Sequence, residues 1–180
     1  MTLVIRSLCL SLAMLALCAG PATAKSKNQA EVVRLSEEMQ RLAQRTAWSG
    51  VVRAYRQVLK LRRVEVKADI HFLGSQAAAQ QGDVDLRIEA LTKAGSRGAS
   101  ELRVVYQNYG AVKLTRGKKK TLQPATMPFA PDQRAAVETA QKAIKAKGKF
   151  KGWLPKGTYT LGAARFTVQA TKKRQKFKGK

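Results

Sequence analysis

His71 is the chain's single histidine, and with Asp69 it could in principle supply a general base with its orienting carboxylate, or two ligands of a metal ion. Two residues apart on a helix, however, side chains do not face each other. The chemistry also lacks a cysteine partner and a convergent carboxylate, so His71 reads as a polar or half-buried helical side chain. Asp83 and Asp85 flank Val84 just after Gly82, a pair that could invite calcium. No spaced set of oxygen ligands surrounds them, and carboxylates at a helix N-terminus, stabilised by the helix dipole, account for both. Glu37 and Glu38 are adjacent on one helix and diverge, with Arg34 and Arg41 as their i,i+3 and i,i+4 partners. Gly95-Ser96-Arg97-Gly98 lacks the strand-loop-helix setting of a phosphate cradle. The sequence therefore assigns no catalytic residue, no metal ligand and no cofactor, and it reads as a protein that is not an enzyme.

What remains is charge and address. The 180 residues carry 35 Lys+Arg against 11 Asp+Glu, a net charge of +24, with 44% apolar residues, enough for a core. Residues 1–24 hold one charge at Arg6, an apolar run over 8–19, and the small stretch Ala22-Thr23-Ala24, the layout of a secretory signal cleaved after Ala24. An uncleaved anchor helix is the alternative, although the run is short of the roughly 20 residues a bilayer span needs. Both cysteines, Cys9 and Cys18, lie in this leader, so residues 25–180 are cysteine-free and offer neither disulfides nor thiol chemistry. The expected location is periplasmic or secreted.

The elements that hold the charge fall into two parts. Residues 25–110 hold 15 basic and 9 acidic side chains, net +6, and residues 111–180 hold 19 and 2, net +17. Val32, Leu35, Met39 and Leu42 put an apolar stripe on a helix over 31–45, and Trp48, Val51, Val52, Tyr55, Val58 and Leu59 put one on a second helix. Further helices are expected over 68–81, 84–93 and 100–109, the last stopped by Gly110.

Laid over each other at an offset of 36, the two hairpins align Thr46 with Gly82, Trp48 with Val84, Tyr55 with Leu91 and Val58 with Ala94. Gly82, Val84, Leu91 and Ala94, with Ala78 four residues before the glycine, resemble a tetratricopeptide (TPR) repeat. That resemblance implies stacked helical hairpins over about 31–109 and a short partner-binding surface. Arg87 stands where the repeat has a small packing residue, and the offset of 36 differs from the family period of 34. A plain antiparallel bundle gives the same spacing and stays open beside the repeat.

The second part opens with an alternating strand over 111–116, a turn at 117–120 and a Pro-rich loop over 122–131. Asp132 reads as the N-cap of a helix that Gly148 ends, and 158–161 with 165–169 reads as a β-hairpin. Leu154-Pro155-Lys156-Gly157-Thr158-Tyr159-Thr160-Leu161 resembles the segment closing small exported β-sandwich modules of the PEGA and carboxypeptidase-regulatory types. The resemblance implies a strand whose tyrosine packs inward, and no ligand. Six basic residues and no acid over 172–180 predict a disordered cationic tail over 171–180. The expected fold is thus an α-rich α+β chain: a signal peptide over 1–24, helical hairpins over 25–110, and a small β module with one inserted helix over 111–170. The layout resembles exported proteins of Gram-negative bacteria.

The functional expectation is a non-catalytic exported binding or envelope-scaffold protein whose partner is another protein or an anionic envelope polymer. The alternative is a polyanion binder for lipopolysaccharide, anionic lipid, cell-wall polymer or extracellular DNA. Its candidate cations are Lys118, Lys119 and Lys120, Lys142, Lys145 and Lys149 within the run that continues to Lys151, and Lys172, Lys173, Arg174 and Lys176.

Overall fold

Apolar residues spaced three and four apart form buried stripes on two successive helices, and these stripes build the first core. The computed structural model describes residues 20–115, 120–125 and 129–179, with side chains from residue 26 onward. Helix α1 (Gly20–Gln44) buries Val32, Leu35 and Met39 against α2 (Trp48–Val58), and α3 (Ala68–Gln80) closes the cluster with Ile70, Ala77 and Ala78. α4 (Val84–Lys93), a 3-10 turn at Gly95–Gly98 and α5 (Ala99–Asn108) complete the helical part. The first helix starts well before the expected residue 31. Pro21 falls in its first turn, where proline is tolerated, and the Asn28 and Gln29 amides tie the helix to the carbonyls of Arg62 and Glu65 at 3.2 and 3.1 Å. Ala24, the expected cleavage point, lies in α1. Residues 1–19 with Cys9 and Cys18, and the turn residues Lys118 and Lys119, lie outside the described residues.

The two hairpins turn alike. Thr46 and Gly82 both adopt left-handed backbone, φ 54 and 66, and the next helix begins two residues later, at Trp48 and at Val84. Tyr55, Val58, Ala78, Val84, Leu91 and Ala94 are buried and Trp48 is half-buried, so the positions aligned by the offset of 36 do carry the packing. Gly82 has a further reason to be glycine, because a Cβ there would run into the Ala135 carbonyl of a helix from the second part.

That second part is two three-stranded sheets and a helix around one core. Strand β1 (Tyr109–Thr115) is central in the first sheet, antiparallel to β3 (Phe150–Pro155) and parallel to β6 (Gln175–Lys178). The second sheet runs β2 (Leu122–Pro124), β4 (Gly157–Leu161), β5 (Ala164–Val168), all antiparallel. Helix α6 (Pro131–Lys147) packs Val137, Ala140 and Ile144 against Val112, Leu114, Leu122, Leu154, Tyr159, Leu161 and Val168. The whole is the expected helix-rich α+β fold.

Several local expectations are corrected. The tail forms a strand in its described part: Lys176-Phe177-Lys178 alternates as a strand should, Phe177 stacks on Phe166 at 4.4 Å, and the backbone pairs with β1. Phe129, Tyr159, Phe166 and Phe177 thereby form a column of successive ring contacts through the core. Gly110 does not stop α5, since Tyr109 is already extended (φ −125) and Gly110 lies within β1. Its missing side chain makes room for the chain leaving β5, because a Cβ there would strike the Gln169 carbonyl. The Pro-rich loop contains β2, and β3 is a strand beyond those expected from alternation. The N-cap of α6 is Ala130, with Pro131 as first helical residue and Gln133 accepting from the Ala130 N–H at 3.1 Å. Asp132, inside the first turn, does something else.

Asp132 joins the two parts. Its Oδ2 accepts from Arg87 Nη1 at 2.7 Å and from the Tyr109 hydroxyl at 3.0 Å. Arg87, the residue that departs from the repeat pattern, is therefore long because it must reach an aspartate 45 residues away. Val84, Leu91, Val105, Tyr109 and Ala136 form a third core cluster between helices and sheet, and Thr139 donates to the Gln81 carbonyl at 3.2 Å.

A lysine row on the outer face of the first sheet

Strand β1 reads Val112-Lys113-Leu114, and alternation sends Val112 and Leu114 into the core while Lys113 projects to the opposite, solvent side. Lys113 pairs in register with Lys151 on β3 and with Lys176 on β6. Residues directly opposite in neighbouring strands share a face, so Lys151, Lys113 and Lys176 form a row across all three strands, all exposed. Strands lie about 4.8 Å apart. Among the described residues none of the three has a carboxylate within 4 Å, although like charges placed opposite each other oppose pairing by about 0.2–1 kcal/mol. Lys178, paired with Thr115, adds an exposed cation two residues further along the same face.

Two residues the other way, on the same face, stands Trp153, opposite Ala111. Its indole N–H donates to Asp85 Oδ1 at 3.0 Å, which fixes the ring. Burial pushes the Asp85 carboxyl up from the usual carboxylate range, while the Trp153 hydrogen bond and the cations Arg174 and Lys151 act the other way. Tyr106 lies beside Trp153, ring centroids 5.9 Å apart and tilted by 45°, and Lys172 Nζ sits 3.9 Å over the Tyr106 ring. The face thus carries a cationic row, an aromatic pair and a further cation in succession.

The cations proposed from sequence do not share one surface. Lys176 is in the row, Lys172 is on Tyr106, and Lys173 and Arg174 are exposed in the connection between β5 and β6. Lys142 and Lys145 are exposed on α6, which covers the inner face of the sheet, so the sheet separates them from the row. Lys149 is exposed in the turn leading into β3, and Lys120 is half-buried. Lys113, the centre of the row, was not among the candidates. The only signal for it was its position between two apolar residues in an alternating strand.

The acid–base candidates are structural. His71 is more buried than expected, and its Nδ1 lies 2.8 Å from the Tyr55 hydroxyl; burial and then Lys93 hold its pKa below the usual range. Asp69 pairs with Arg97 at 2.8 Å. Asp83 caps α4 by accepting from the Leu86 N–H at 3.1 Å and pairs with Arg56 at 2.6 Å. Among the described residues no group of three or more His, Cys, Asp or Glu is placed to hold a metal ion, and no helix is long and apolar enough to cross a membrane. Open depressions lie along α1, between Glu37, Gln40, Arg41 and Gln44 and beside Glu38 and Leu42, without a cluster of reactive groups. Compared with known protein families, curated proteins and solved structures, the chain matches none, so the geometry alone carries the functional reading.

Proposed function

We propose that this is a non-catalytic, exported binding protein that holds a polyanion on the outer face of its first sheet. The observation that carries the reading is the row Lys151–Lys113–Lys176: three in-register lysines, none ion-paired with a carboxylate among the described residues, are unfavourable for folding and favourable for a ligand that brings several negative charges. The helical part buttresses that sheet through Asp132 and the third core cluster. Anionic lipid, lipopolysaccharide, cell-wall polymer and extracellular DNA share the required chemistry. A protein partner on the helices has less support, since the large apolar side chains left exposed among the described residues, Val33 (53%) and Val104 (50%), are single residues of the kind any surface shows.

Titration of the protein with inorganic polyphosphate at increasing salt tests the reading. Affinity should fall linearly on a log–log plot, and changing Lys113, Lys151 and Lys176 together to Gln should lower the slope by about 3, near one per lysine. An unchanged slope in the triple variant would reject the row as the binding surface.

A further inference from the structure

We infer that the polyanion is a single-stranded nucleic acid, with bases stacked at Trp153 and Tyr106 and phosphates along Lys151, Lys113 and Lys176. This rests on the polyanion reading above and deepens it. A bare polyanion needs cations only, yet this face sets two half-buried rings beside the row. Trp153 is two residues from the Lys151–Lys113 pair on the same face, roughly 7 Å along the strands at about 3.4 Å per residue. The module's other rings are not available to a ligand: Phe129, Tyr159, Phe166 and Phe177 stack in the core column, Phe150 packs against the same core, and Tyr109 is buried with its hydroxyl on Asp132. Trp153 is moreover held at a fixed angle by Asp85, as a stacking platform requires, and Lys172 brings a cation to the far ring. Phosphates met by lysines and bases met by aromatic faces are the two contacts by which single strands are held without sequence preference. A duplex hides its base faces and would meet the lysines alone.

The experiment compares oligothymidylate, polyphosphate and dextran sulfate at matched charge and salt. Trp153 fluorescence is followed in a Trp48→Phe background, which leaves one of the two tryptophans. Oligothymidylate is expected to quench Trp153 and to bind at least about 5-fold more tightly than the other two, the lower end of what one stacked base contributes. Trp153→Leu should remove that excess while keeping polyphosphate affinity. Because losing the Asp85 bond could unfold Trp153→Leu, Tyr106→Leu and Trp153→Phe are measured beside it. Tyr106→Leu should lose part of the excess, and Trp153→Phe should retain most of it. Equal affinity for all three polymers without quenching overturns the nucleic-acid inference and leaves the polyanion reading standing. Preference for dextran sulfate overturns it in favour of a sugar chain. No binding by any of the three overturns both.

Discussion

Replacing Lys113 with threonine should stabilise the protein while weakening its hold on polyanions. Lys113 faces a like charge on each side, Lys151 and Lys176, in register. Each opposed pair is unfavourable by about 0.2–1 kcal/mol, so removing the central lysine relieves about 0.4–2 kcal/mol at low ionic strength. Threonine also suits a strand better than lysine, and an exposed position surrenders little packing. For a chain of this size that corresponds to a rise of about 2–4 °C in Tm per kcal/mol. Raising the salt to 1 M shortens the screening length to about 3 Å, so the thermal gain should shrink to the propensity share. Differential scanning calorimetry of both proteins at 0.02 M and 1 M salt, with polyphosphate binding at low salt, measures all three quantities. A less stable variant, or a gain independent of salt, would refute the claim that the row is electrostatically frustrated. An unchanged polyphosphate affinity would refute its use.

Other perturbations test the scaffold. Gly82→Ala should lose about 2–4 kcal/mol in urea denaturation, combining a left-handed alanine with a collision against the Ala135 carbonyl, whereas Gly95→Ala, with φ +61 and open space, should lose only about 1–2. Equal losses would mean that the α3–α4 turn does not dock on α6. Arg87→Met leaves Asp132, 28% exposed, with Tyr109 as its partner and should lose about 2–3 kcal/mol, somewhat less than a fully buried pair. Adding Asp132→Asn should then change little, and additive losses would show that the two residues act separately. His71 has a folded pKa below its unfolded value of about 6.5, so the unfolded chain takes up a proton that the folded chain refuses. Stability should be full above that pH and decline as the pH falls towards the folded pKa; His71→Gln should flatten this part of the stability–pH curve, and an unaltered curve would remove His71 as its cause.

The helical part was legible because its signals are local. Stripe spacing marked α1 and located α2, and the Gly82-Asp83 break, where Asp83 caps α4, marked the turn between α3 and α4 that the structure keeps. Gly148, left-handed at φ 66, ended α6 as its position implies. The hairpin of β4 and β5 was readable from alternation across a short turn. The site was not legible, because a row across three strands is a statement about register between segments more than 35 residues apart. Charge counting gathered Lys142 and Lys145 with Lys176, although α6 and the outer sheet face lie on opposite sides of the sheet. It passed over Lys113, which stands alone among apolar neighbours. The tail was misjudged for the same reason: its composition is that of a disordered segment, but the single Phe177 finds Phe166, and β1 offers a free edge. Arg87 could be noticed as an odd residue in a packing position, whereas its purpose depended on Asp132, far along the chain.

The most direct test of the central claim is amide chemical-shift mapping of the protein titrated with polyphosphate at low salt. Shifts concentrated at Lys113, Lys151, Lys176 and Trp153, reversed by added salt, are the result predicted for a polyanion seated on the outer face of the first sheet. Shifts concentrated at Lys142 and Lys145 on α6, with β1 unmoved, would contradict it.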